Sequence, residues 1–142
     1  MKKDCIVIGM SNFGMNIAIE LNKNGKDVTV IDKNADTFNM MDNFSGFMVS
    51  GDATDLSLLE ENGINNADMV VITTDSDNLN IFLAHVCSQI YHVPNIFCRI
   101  VDTDKNILIK DSTVKVINPF SLCMEYFRTI SSQQNNSKEG NK

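Results

Sequence analysis

Residues 5–32 read CIVIGMSNFGMNIAIELNKNGKDVTVID, and this stretch decides the fold. The apolar run Cys5–Ile8 stops at Gly9. Phe13, Ile17, Ala18 and Leu21 then recur at the spacing of one helix face. Asn24-Gly25 closes that helix, because glycine accepts the left-handed conformation of a C-terminal cap. Val28–Ile31 is a second apolar run, and it ends on Asp32. Strand, glycine turn, helix and a second strand ending in an acid make one parallel crossover unit.

The alternation continues outward from this unit. Residues 35–43 form a second helix, Gly46–Ser50 a third strand and 55–62 a short helix closed by Gly63. Met69–Thr73 is a fourth strand, and its unbroken apolar run needs cover on both faces, as in a parallel sheet. Leu79, Phe82, Leu83, Val86 and Ile90 mark one face of the next helix, capped by Ser76 or Asp77. Ile96–Val101 is a fifth strand. Asp102 or Thr103 caps a short helix through Lys110, and Val114–Ile117 is a sixth strand. Asn118-Pro119 opens a last helix with two apolar sets, Phe120, Cys123, Met124 and Phe127, and Leu122 and Tyr126. A sheet face buries one such set; the other either meets a partner chain or sits half exposed. The expected architecture is α/β, a doubly wound six-stranded parallel sheet of Rossmann type in order 3-2-1-4-5-6, a single domain over residues 1–130. Residues 131–142, SSQQNNSKEGNK, read as a disordered polar tail.

Composition narrows the function. A chain of 142 residues, 43% apolar, supports one domain with a real core. Eighteen acids against twelve bases give a net charge of -6, which argues against nucleic acid and anionic lipid as partners. No run is long enough for a membrane span, and the N-terminus lacks a secretory signal, so the expected location is the cytoplasm. Cys5, Cys87, Cys98 and Cys123 form no C-x-x-C pair, and each lies in an apolar run or stripe. They read as buried, reduced thiols.

In a doubly wound sheet, ligands sit beyond the carboxyl ends of the strands, which directs attention to the residues just after each strand. Gly9-Met10-Ser11-Asn12-Phe13-Gly14 is G-x-G-x-x-G with Ser11 at the middle position. Ser11 either crowds a pyrophosphate or donates a hydroxyl to it, and the helix start still favours an anion. Asp32, eighteen residues after Gly14, is placed to accept ribose hydroxyls and to repel a 2′-phosphate. Gly51-Asp52-Ala53-Thr54-Asp55 lies beside an adenine, with Asp52 as acceptor and small Ala53 leaving room; Thr54 or Asp55 also suits an ordinary helix cap. Thr73-Thr74-Asp75 sits across the switch point, as a ligand contact or a cap. Arg99, ending strand five, either faces phosphates or points to solvent.

Together these residues resemble the RCK N-terminal domain, the TrkA-N type of Trk and Ktr potassium-uptake regulatory subunits, over about Lys3 to Ile130. G-D-A-T-D is the specific part. The resemblance implies a pocket of Gly9, Met10, Ser11, Asn12, Phe13, Gly14, Asp32, Lys33, Asp52, Ala53, Thr54, Thr73, Thr74, Asp75 and Arg99. It would take NAD(H) or an adenine nucleotide (ATP, ADP or AMP), with no catalytic residue and no metal. It implies a homodimer or ring that gates a membrane potassium-transporter subunit, peripheral to the inner membrane face and without inserting into it. Two departures stand out. Many members have arginine where this chain has Asn12, and the smaller C-terminal lobe usual in the family does not follow here.

Other readings remain open. An NAD-dependent oxidoreductase, or a fragment of one, would need a proton donor from among His85, Tyr91, His92 and Tyr126, and neither tyrosine has a lysine four residues on. A methyltransferase also uses a glycine turn and an acid after strand two. Fold alone would not separate these readings.

Overall fold

The computed structural model describes residues 4–111 and 113–139, with side chains through residue 135. Six strands, β1 (Asp4–Ile8), β2 (Asp27–Asp32), β3 (Phe47–Ser50), β4 (Met69–Ile72), β5 (Asn95–Arg99) and β6 (Val114–Ile117), form one sheet in the order β3-β2-β1-β4-β5-β6. Every neighbouring pair is parallel. The chain winds outward from β1 toward β3, then crosses to β4 and winds the other way. The order reverses between β1 and β4, and this is the Rossmann-type arrangement expected from the sequence.

Strand alternation divides the core between two faces. Cys5, Val7, Val28, Val30 and Val71 pack with Met15 and Ala18 of helix α1 (Asn12–Lys23). Ile6, Ile8, Ile31, Val70, Ile72 and Ile96 pack on the opposite face with Leu59 of α2 (Leu56–Glu61) and Leu83, Ala84 and Cys87 of the α3 region. Helix α3 covers Asp77–His85 and continues as a π-helical turn over Val86–Ile90. The segments expected as helices after β2 and β5 are 3-10 turns, Ala35–Met40 and Thr103–Leu108, with Asn34 and Asp102 as their caps.

Three expectations are corrected. First, the buried face of α3 is centred on Asn80, Leu83, Ala84 and Cys87, while Phe82 is 48% and Ile90 53% exposed. The apolar count mistook a polar residue for a surface one. Asn80 is fully buried: its amide nitrogen donates to the carbonyls of Thr74 (3.1 Å) and Arg99 (3.0 Å), and its oxygen accepts from the Thr74 N–H and hydroxyl. With its hydrogen bonds made, an amide is tolerated inside. Second, α4 (Pro119–Glu139) runs through residues 131–139 of the expected tail; residues 140–142 lie outside the described residues. Asn118 accepts from the Ser121 N–H (2.9 Å) and opens the helix. Both apolar sets of α4 face outward: Phe120, Leu122, Tyr126 and Phe127 are exposed. Third, Cys123 is exposed with them, whereas Cys5, Cys87 and Cys98 are buried.

Among the described residues, no helix is long and apolar enough to cross a membrane. Burial, with the Cys98 thiol nearby, pushes the Cys87 thiol up to about 12; burial, with the charge of Asp77, does the same to Cys98. A thiol reagent at neutral pH should therefore modify Cys123 in the native protein and reach the other three only in denaturant. Rapid native labelling of Cys87 or Cys98 would show that this core is open. Gly14→Ala supplies a second check. A Cβ there would overlap the Gly9 carbonyl oxygen and the Thr73 hydroxyl. Although alanine favours helices by about 1 kcal/mol, the overlap should lower stability by about 1–3 kcal/mol, read from the midpoint of urea unfolding.

Candidate functional site

The carboxyl ends of β1, β2 and β4 meet around the glycine turn. Gly9, at φ 90°, lets the chain leave β1 so close to β4 that a Cβ would strike the backbone of Thr73 and Thr74. The turn is then fastened from both sides. The Thr73 hydroxyl donates to the Gly9 carbonyl (2.8 Å), and the Ser11 hydroxyl donates to the Thr73 carbonyl (3.0 Å) while accepting from the Gly14 N–H (3.2 Å). Ser11 is thus the N-cap of α1. Its hydroxyl hydrogen is committed to Thr73, so the alternatives left open by the sequence resolve toward an internal clasp.

Asp32 ends β2 beside this turn. One carboxylate oxygen accepts from the Met10 N–H (2.7 Å) and the other from the Asn34 N–H (2.8 Å). An ionised carboxylate offers about four acceptor positions, so each oxygen keeps one to offer a ligand hydroxyl. These backbone bonds also fix the orientation of the side chain.

A cavity opens next to Asp32. It is lined by Gly9, Met10, Asp32, Lys33, Asp52, Ala53, Thr74 and Asp75 from the sequence-predicted set, and by Ile8, Ile31, Gly51 and Leu79. Its walls are apolar, with acids at the rim. The Lys33 ammonium lies 3.4 Å from the Asp52 carboxylate across it, with both side chains largely exposed. Hydrogen bonds from the Thr54 hydroxyl (2.7 Å) and N–H (2.9 Å), with Lys33 beyond them, lower the pKa of Asp52 below the usual carboxylate value. Asp52 therefore stays an anionic acceptor at neutral pH.

A second cavity lies on the other side of the turn. Met10, Ser11, Asn12, Phe13, Asp75 and Arg99 line it, together with Met15, Thr37, Met40 and Pro119. The two cavities share Met10 and Asp75. Arg99, the last residue of β5, also bears on Asp77. Burial is the strongest influence on that carboxyl and pushes its pKa up, but the N–H groups of Val101 and Asp102 and the charges of Lys105 and Arg99 together lower it.

Three predicted residues line neither cavity. Gly14 and Thr73 sit beneath the turn as packing and clasp, and Thr54 holds Asp52 from behind. Of the lining residues not anticipated, Gly51 opens the G-D-A-T-D loop, Ile8 ends β1 and Ile31 is the last residue but one of β2, so position signalled them. Met15, Thr37, Met40 and Pro119 come from three separate elements, α1, the 3-10 turn after β2 and α4, and nothing local marks them. His85, Tyr91, His92 and Tyr126 line neither cavity: a His85 ring nitrogen lies 3.0 Å from the Leu108 carbonyl, and the Tyr91 hydroxyl donates to Glu60 (2.9 Å).

The chain is similar to the Trk system potassium uptake protein TrkA of Vibrio alginolyticus, at 29% identity over 133 residues, 88% of this chain and 29% of that protein. The TrkA of Mycobacterium tuberculosis (strain H37Rv) is 31% identical over 106 residues, 75% of this chain and 48% of that one. The chain therefore spans less than half the length of these relatives. Among solved structures, the GsuK channel bound to NAD superposes at TM-score 0.79 and 21% identity, covering 94% of this chain and 24% of that one. The NAD(P)-binding domain of an exopolyphosphatase-related protein from Archaeoglobus fulgidus superposes at TM-score 0.77 and 20% identity, covering 93% and 99%. The Kef C-terminal domain of Shewanella denitrificans in its AMP-bound form superposes at 0.70 and 17% identity, covering 95% of both. These likenesses show a shared fold. Residues 5–119 match the TrkA-N domain family along nearly all of the sheet and its crossovers, and the chain belongs to that family.

Proposed function

We propose that this chain is the nucleotide-sensing domain of a cytoplasmic regulatory subunit of a potassium uptake system. It binds NAD(H) or an adenine nucleotide without transforming it, assembles as a homodimer or ring, and acts on a membrane potassium-transporter subunit. Family membership and the likeness to the TrkA potassium uptake proteins support the transport role. The neighbouring structures with NAD and AMP support the ligand class.

The observation that carries the reading is Asp32, anchored by the Met10 and Asn34 N–H groups in the lining of the cavity beside the glycine turn. Asp32 takes the ribose hydroxyls, Asp52 the edge of the base, and the start of α1 with Arg99 the phosphates. Gly14, Thr54 and Thr73 act from behind, by holding the turn and Asp52 in place. The residues around the ligand bind and orient; neither histidine lies among them, and the acids serve as hydrogen-bond acceptors. A ligand that prefers one arrangement of the paired domains would shift the assembly by its difference in affinity between the two.

A thermal-shift titration tests this. NAD(H) or an adenine nucleotide at about a hundredfold over its Kd should stabilise the folded chain by about 2.7 kcal/mol. Asp32→Asn should abolish most of the shift while the unliganded protein still melts cooperatively. If none of these ligands raises Tm while S-adenosylmethionine does, the sensor reading is wrong and methyl transfer takes its place.

A further inference from the structure

The sheet ends on β3, which pairs with β2 on one side and leaves its other side open. The Gly51 N–H donates to the Asp32 carbonyl (3.0 Å), so by strand alternation Phe47 and Val49 also turn their backbone groups toward β2. The N–H and C=O of Met48 and Ser50 then face the open edge. Edges of this kind are commonly blunted by lysine, proline or a bulge. Residues 43–51, NFSGFMVSG, hold no charge and no proline, and Phe47 (74%) and Met48 (46%) lie exposed on the two faces. We infer that the β3 edge, with the groove at its amino end, is a docking surface for an extended basic segment of another protein, which adds a strand to the sheet.

The packing around β3 leaves this edge uncovered. Helix α2 lies over the carboxyl end of the strand, where Leu58 packs against Gly51 and Leu59 is buried, and the face around Phe47 stays open. On the other face the crossover into β3 is a 3-10 turn rather than a full helix, and Met48 is left half exposed. The groove runs along the amino ends of β1, β2 and β3. Ile6, Thr29 and Phe47 form its floor, because the pairing register sets them side by side on one face. Its rim carries Asp4, Asp27 and Glu61 and, among the described residues, no basic side chain.

These features select the occupant. An added strand bonds the Met48 and Ser50 backbone groups whatever its sequence, and pockets beside the edge choose among side chains. Apolar residues at alternate positions fall against Phe47 or Met48. A lysine or arginine at the amino end of the groove meets the carboxylates of Asp4 and Glu61, both exposed, with Asp27 alongside. A second copy of this chain fits less well. It would bring its own Asp4 and Glu61 to the same groove, and each chain carries a net charge of -6. The groove lies at the opposite end of the strands from the glycine turn, so a docked segment leaves the crevice free.

Fluorescence anisotropy with a labelled short peptide alternating lysine and valine tests this. The controls are a glutamate–valine peptide and a lysine–valine peptide with its backbone N-methylated. The lysine–valine peptide should bind at least about tenfold more tightly than either control. Amide exchange at Met48 and Ser50 should slow on binding, since their N–H groups enter the new ladder. Phe47→Ser, at a mostly exposed position, and Met48→Pro, which removes an N–H that faces away from β2, should each weaken the peptide about tenfold. The Tm of Phe47→Ser should stay near the parent's, so this variant decides even where Met48→Pro unfolds. Asp4→Asn with Glu61→Gln should remove most of the salt dependence of binding. Equal binding of the N-methylated peptide, or protection of other amides instead, overturns strand addition. Equal binding of the glutamate–valine peptide overturns the basic partner, and so does a dimer of the chain that Phe47→Ser dissociates. No binding of the lysine–valine peptide overturns the docking surface.

Discussion

The structure depends on one close approach: the backbone of the first turn lying directly against the backbone that follows β4. Gly9 and Gly14 have no side chain because there is no room for one, and the space is closed by the Gly9 carbonyl and by Thr73 and Thr74. The Thr73 hydroxyl bonds the Gly9 carbonyl, and Ser11 reaches back to the Thr73 carbonyl. This is the point at which the winding of the sheet reverses. A reversal leaves the connections on either side diverging, so a crevice forms there as a consequence of topology. The clasp decides how narrow that crevice is and where the start of α1 aims.

Around the clasp, buried polar groups do the positioning. Asp32 is held by two backbone N–H groups, so its carboxylate does not search for a ligand. Asn80 ties the end of β4 to the end of β5 through the carbonyls of Thr74 and Arg99. Asn118 ties the same edge to α4, donating to the carbonyls of Ile100 (2.8 Å) and Val101 (3.0 Å). Two buried amides therefore link the loop carrying Thr74 and Asp75 to the first turn of the last helix. Removing either would strand buried carbonyls, each at a cost of about 1–3 kcal/mol. The site and α4 thus share one rigid edge of the sheet.

The last helix is the part of the chain least bound to the domain. Its two apolar sets remain exposed, together with Phe82 and Ile90 of the α3 region and Ile107 and Leu108 of the turn after β5. The exposure of α4 explains why the apolar periodicity of Phe120–Phe127 could not be assigned to the core.

The sequence by itself determined the alternation of strands and helices, the sheet order and the location of a crevice. These follow from local patterns: unbroken apolar runs, glycines past helix ends and caps such as Ser76 and Asn118. It also marked Asp32, Asp52 and Asp75, because each ends a strand or lies two or three residues beyond one, and the fold brings strand ends together. Tertiary structure alone decided the rest. It turned Ser11 inward, since the approach of Thr73 gives its hydroxyl hydrogen an acceptor. It put Thr54 behind Asp52, and Gly14 and Thr73 beneath the turn. It buried Asn80 and exposed Phe82, because hydrogen-bond partners six and nineteen residues away, Thr74 and Arg99, cannot be read from a helical period. It gathered Met15, Thr37, Met40 and Pro119 from three elements into one wall. Local sequence sets which way a side chain can point; which atoms wait there depends on residues far away in the chain, and packing decides between them.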